Sequence, residues 1–161
     1  MIETILFGAC VGLLATVTMD VLGSVSRRIG LTVGAKGIWV GRWYLGIARG
    51  QFVQRIVVDA PEQPGEKRAA MVGHFVIGIA LAVAYVIGAG WLGVSPSGAL
   101  PALGYGLATT VFPLFLVYPS LGFGWLGVKG PPELRLFTTS LVNHLFYGVG
   151  IWWSATVLPF G

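Results

Sequence analysis

"VGHFVIGIALAVAYVIGAGWLGV", residues 72–94, contains no Asp, Glu, Lys or Arg, and the uncharged run already begins at Ala69. A hydrocarbon core of about 30 Å takes about 20 helical residues to cross, so the stretch is long enough to span a bilayer. Three other apolar segments match it in length: from about Thr4 to Val25, from about Gly98 to Phe123 and from about Leu134 to Leu158. None alternates with the period of a barrel strand, and backbone groups cannot stay unpaired in lipid, so each is expected to be a helix. The expected fold is all-α: a polytopic membrane protein of four transmembrane helices in a single domain over residues 1–161.

Composition agrees. The chain is 55% hydrophobic and only 10% charged, too little charge for a water-facing surface. The formal charge of +4 is placed unevenly. Arg27, Arg28, Lys36, Arg42, Arg49, Arg55, Lys67 and Arg68 cluster between the first two segments, and Lys129 and Arg135 lie between the last two. The link "GVSPSG" (93–98) and the tail "PFG" (159–161) carry none. This positive-inside bias puts loop 29–68 in the cytoplasm and both termini outside, with a bacterial inner membrane as the expected location. The partner implied is the lipid bilayer, not nucleic acid. Cys10 is the single cysteine, so no intramolecular disulfide can form.

Loop 29–68 is too long for a turn and too apolar for a disordered linker. "GIWVGRWYLGIARGQFVQRIVV" (37–58) places Trp39, Trp43 and Ile47 at helical spacing, with Arg42 and Arg49 on another face. The pattern predicts an amphipathic helix at headgroup level, anchored by Trp39, Trp43 and Tyr44, with Arg42 and Arg49 turned toward phosphate. "DAPEQPGEKR" (59–68) then breaks the helix.

The chain also repeats itself. "VGHFVIGIA" (72–80) aligns without gaps on "VNHLFYGVG" (142–150), pairing His74 with His144 and Gly78 with Gly148, and "GLLATV" (12–17) aligns weakly on "GLATTV" (106–111). Two helical hairpins related by a pseudo-twofold axis along the membrane normal are expected. At 1.5 Å rise per residue, His74 lies roughly 9 Å above Arg68, His144 roughly 13 Å above Arg135 and Asp20 roughly 10 Å above Arg27. Three ionisable groups thus reach a similar depth.

A carboxylate in hydrocarbon costs at least about 2.5–3.5 kcal/mol, so Asp20 should face the protein interior and find a donor, for which a histidine is the obvious candidate. Asp20, His74, Asn143 and His144 then form either a polar network that sets helix register or, with Tyr118, a ligand site. For a haem, Tyr118 and Trp125 are the expected pocket lining. Pro113 and Pro119 in "TTVFPLFLVYPSLG" (109–122) free backbone carbonyls and predict a kink or hinge. A site of this kind suits binding or transport of a small ligand. Four helices make a small transporter, for which a homodimer is expected, with Gly8 and Gly12, or Ala80, Ala84 and Gly88, as close-packing faces.

The alternative is cofactor binding: His74 and His144 as axial haem ligands, or the two with Asp20 as transition-metal ligands, with the glycine at i+4 leaving room for a flat ring. A third reading is a structural or assembly subunit of a larger membrane complex. An enzyme is least supported, since no nucleophile with an evident base, phosphate loop, HExxH or CxxC is present.

With these residues in hand, the chain resembles a family of short bacterial inner-membrane proteins known only as a domain of unknown function. The resemblance runs through "ATVTMD" ending in Asp20, "VGRW" (40–43), "PGE" (64–66), "GHFVIG" around His74, "FPLFLVYPSLG" (112–122) and "NHLFYGVG" around His144. It implies four membrane helices and a shared polar set at Asp20, His74 and His144, and brings no activity with it.

Overall fold

The computed structural model of the chain describes residues 1–33 and 36–159. Among them there is no strand; the long helices are α1 (Ile2–Arg28), α3 (Glu66–Trp91), α4 (Ala99–Ser120) and α5 (Leu136–Val157), with a shorter α2 (Gly37–Ile47) after α1. Apolar sequence makes α1 helical throughout. Its Thr16 and Thr18 give their hydroxyl protons to carbonyls four residues back, Gly12 at 2.7 Å and Leu14 at 2.8 Å, and so stay satisfied without water. The helix ends at Arg27 and Arg28, cations at the negative end of its dipole.

Three helices are long and apolar enough to cross a membrane, Ile2–Arg28, Glu66–Trp91 and Ala99–Ser120, which points to a membrane location. With 22 residues α5 is as long as α4, but Thr138, Thr139, Ser140, Asn143 and His144 dilute its apolar character.

The boundaries differ from the expected segments for local reasons. The second segment starts at Glu66 rather than Ala69, just after Gly65 (φ 88°), because Glu66 is anchored from outside the helix. The third ends at Ser120: Gly122 (φ 85°) turns the chain, and Phe123 is buried in the protein rather than extending the helix. Between Pro113 and Val117 α4 widens into a π-helical turn. Proline has no N–H to offer the preceding turn, so the break begins where the sequence predicted one.

Packing places α1 between α3 and α5, with α4 against α5 and α2 against α3. In one core, Phe7, Val11 and Ala15 of α1 meet Ala82, Tyr85 and Val86 of α3 and Tyr147, Ile151 and Ala155 of α5. A second core lies at the α2 end, where Trp39 and Trp43 pack with Val57, Leu114, Tyr118, Leu121, Phe123 and Leu136.

This second core revises the reading of loop 29–68. The helix is there, but Trp39 and Trp43 are buried in protein instead of anchoring at headgroups, and Arg42 is only 2% exposed. Arg42 grips Glu66 through two nitrogens, at 2.8 and 3.2 Å, and donates to the carbonyls of Val57 (3.0 Å) and Ala60. The hydrogen bond to Glu66 outweighs desolvation and holds the guanidinium above its ordinary pKa. A planar fork with five donors suits such a site, whereas a phosphate-facing arginine would have stayed outside. Arg49 is the exposed arginine of the pair and donates to Gln63 at 3.0 Å. Tyr44 lays its ring against Gly73 on α3, where any side chain would collide with it.

Candidate functional site

The polar residues of the long helices join into a belt. His74 on α3 reaches Asp20 on α1, Nε2 to Oδ1 at 3.0 Å. The two side chains are 36% and 51% exposed, so the pair lies at the surface of the chain, on helices otherwise dressed in apolar side chains. His144 on α5 reaches Thr109 on α4, Nδ1 to Oγ1 at 2.8 Å. The Thr109 hydroxyl gives its one proton to the Gly106 carbonyl at 2.6 Å. It therefore accepts from His144, which fixes the proton on Nδ1 and leaves Nε2 with a free lone pair. Each of the four long helices thus contributes one residue to two interhelical polar pairs, Asp20–His74 and Thr109–His144.

Two tyrosines brace these pairs. Tyr147 of α5 donates to the Gly78 carbonyl of α3 at 2.6 Å, and Tyr105 of α4 donates to the Leu81 carbonyl at 2.8 Å. Without water to compete, such interhelical bonds are the means by which lipid-embedded helices hold register.

The glycines after the histidines do not leave a gap. A Cβ on Gly148 would stand 2.9 Å from the Ala102 carbonyl oxygen and 3.0 Å from Leu103 Cα of α4, and one on Gly78 would run into the Thr16 hydroxyl of α1. Each glycine is a notch that lets a neighbouring helix approach, so the room expected there for a flat ring is filled, by the Thr16 side chain at Gly78 and by α4 backbone at Gly148. Nor do His74, His144 and Asp20 gather as metal ligands. Among the described residues no three His, Cys, Asp or Glu side chains are placed to hold a metal ion.

The other sequence candidates lie apart from the pair. Tyr118 belongs to the second core and meets Ser140 Oγ at 2.5 Å and the Leu136 carbonyl at 3.3 Å. Trp125 is 67% exposed and stacks edge-on against Phe115. Asn143 faces α1 beside Gly23, its Oδ1 buried with no hydrogen-bond partner.

Sequence reading missed Thr109, Tyr147 and Glu66, the partners that place His144, Gly78 and Arg42. "ATTVFP" (108–113) and "PGE" (64–66) contain two of them, but nothing in those letters says which distant side chain each will meet.

What the belt can do chemically follows from its two kinds of bond. Between Asp20 and His74 one proton can sit on either partner, giving an ion pair or a neutral acid–imidazole pair. Between Thr109 and His144 the carbonyl of Gly106 fixes the direction of the bond, so Nδ1 carries the proton and Nε2 is the position where a second could add.

One protein family matches the chain over residues 9–158 and is described as a protein of unknown function (DUF2938). No curated protein and no solved structure matches it.

Proposed function

The chain belongs to the DUF2938 family, proteins of unknown function, and from that premise we propose an integral membrane protein that binds or moves a small ligand at a protonatable site formed by Asp20, His74 and His144. The observation that carries this reading is the Asp20–His74 contact of 3.0 Å between two helices long and apolar enough to cross a membrane. An ionisable pair at that depth costs free energy that plain packing would not, and such residues mark ion and substrate paths. Its proton can shift within the pair, so the site changes net charge on the helix surface only when a proton or a charged ligand enters or leaves.

Four spans are part of the proposal, with α5 as the fourth because Thr139 and Ser140 are buried in the protein and His144 is spent on Thr109. So is the two-hairpin repeat: in each hairpin the second helix turns its histidine toward a polar residue of the first helix, Asp20 or Thr109, and notches its glycine against that same helix. The clustering of eight of the ten Lys and Arg between Arg27 and Arg68 supports a cytoplasmic α2 end, with both termini outside and a bacterial inner membrane as the setting.

Protons are the probe that tests it. Purified protein in vesicles loaded with a pH-sensitive dye should dissipate an imposed pH gradient faster than empty vesicles, and Asp20→Asn should abolish the difference. Equal rates for wild type and Asp20→Asn would reduce the belt to a device that sets helix register.

A further inference from the structure

With one proton shared within the pair, in either of the forms above, His74 Nδ1–H is left as an open donor and Asp20 Oδ2 as an open acceptor. Asp20 Oδ1 is taken by His74 Nε2, and no other hydrogen bond reaches either side chain among the described residues. Asp20 Oδ2 and His74 Nδ1 are therefore unused on side chains 51% and 36% exposed. Lipid tails can satisfy neither. Around Asp20 the outward face of α1 carries Leu6, Cys10, Leu13, Val17 and Ser24, which with Asp20 follow spacings of four, three, four, three and four residues. Leu6, Leu13 and Val17 are 60%, 47% and 43% exposed, and Cys10 is exposed as well. Alternating steps of three and four are the heptad spacing by which one helix packs along another. Gly8 and Gly12, by contrast, are already spent against Val83 and Ile79 of α3.

We propose that a second copy of this chain packs along this α1 stripe, about a twofold axis along the membrane normal, and that each copy's open donor and acceptor at His74 and Asp20 meet those of the other. One donor and one acceptor make a self-complementary set, which a twofold axis pairs reciprocally. A lipid or an unrelated helix would have to bring both. The rival surface on α3, Ala80, Ala84 and Gly88, is open as well, with nothing near Gly88, but it presents no polar group that needs a partner. The proposal rests on the membrane placement of Asp20 and His74 in the reading above, not on transport. It makes the protonatable site a joint property of two subunits.

Cys10, the single cysteine, reports on the interface. In a parallel heptad pair equal positions face each other, within the Cα separation of about 4.4–6.8 Å that a disulfide needs. The full chain in its membrane, oxidised with copper phenanthroline, is expected to give a covalent dimer that Cys10→Ser abolishes. On the Cys10→Ser background, Val17→Cys should restore the dimer and Ala84→Cys should not. Asp20→Leu in the Cys10 chain should lower the yield several-fold. No dimer from either Cys10 or Val17→Cys, or a dimer from Ala84→Cys alone, would overturn the interface; a yield unchanged by Asp20→Leu would overturn the reciprocal pairing. A Cys10 dimer without proton flux upholds this proposal against the transport reading, and proton flux from a chain that never crosslinks does the reverse.

Discussion

Gly148 shows how a single residue can be misjudged from its position in the chain. Four residues after a histidine and on the same helical face, it suggests space for a ligand; in the folded chain that space holds the backbone of α4, and Gly106 faces it from the other side. A Cβ on Gly106 would lie 2.6 Å from Gly148 Cα, closer than real Cβ contacts come. Gly106→Val should therefore force α4 and α5 apart and lower the thermal unfolding temperature of the purified protein, by an overpacking cost on the order of 1–3 kcal/mol. Gly88→Ala, which meets nothing within 4 Å, should not lower that temperature, since alanine favours a helix over glycine, and equal effects from the two variants would contradict the packing described. Arg42 behaves in the same way: its place in a basic, Trp-rich loop suggests a headgroup ligand, and Glu66, 24 residues away, makes it a buried clamp instead. Arg42→Met should destabilise by leaving the buried carboxylate of Glu66 without its cation, held only by the Gln63 N–H at 3.1 Å. Arg42→Met with Glu66→Leu should recover most of the loss, since removing both charges leaves neither unpaired; a double variant no more stable than the single one would show that the carbonyl contacts to Val57 and Ala60 matter more.

At the scale of elements, α4 and α5 are joined by a mixture of close approach and one specific hydrogen bond. Thr109 sits just before the π-turn at Pro113, so the helix is anchored by His144 immediately before its geometry changes. Thr109→Val keeps the shape and removes the acceptor. Interhelical hydrogen bonds in membranes average about 0.6 kcal/mol and reach about 1.7, so the variant should lose stability within that range. Paired with His144→Leu, the two changes should cost less together than their sum, as a double-mutant cycle measures. Full additivity would mean that the bond contributes nothing. The same comparison for Tyr147→Phe, which frees the Gly78 carbonyl, isolates the link between α5 and α3. The existence of α4 and α5 was legible in the sequence because more than twenty residues without Asp, Glu, Lys or Arg, most of them apolar, have few alternatives. Their rotation was not: Thr109 and His144 are 35 residues apart, and no local period records such a pairing.

For the whole molecule, charge placement predicts orientation. On a Cys10→Ser background, Glu62→Cys should react with a membrane-impermeant maleimide only after the membrane is opened from outside. Reaction on intact cells would invert the proposed topology and with it the depth of Asp20. What the sequence by itself determined is the class of protein: all-helical, membrane-directed, with a basic loop and a sparse set of ionisable groups on apolar helices. These are consequences of composition and of runs of like residues, which act locally and survive any arrangement of the helices. Only the tertiary structure decided which faces turn inward, that Trp39, Trp43 and Arg42 are core rather than surface, that the glycines after the histidines are contact points, and that Asp20 meets His74 while His144 meets Thr109. Each of those depends on a partner dozens of residues away, 54 in the case of Asp20 and His74, and a helix can satisfy its own backbone at any rotation, so only the contacts between helices select one.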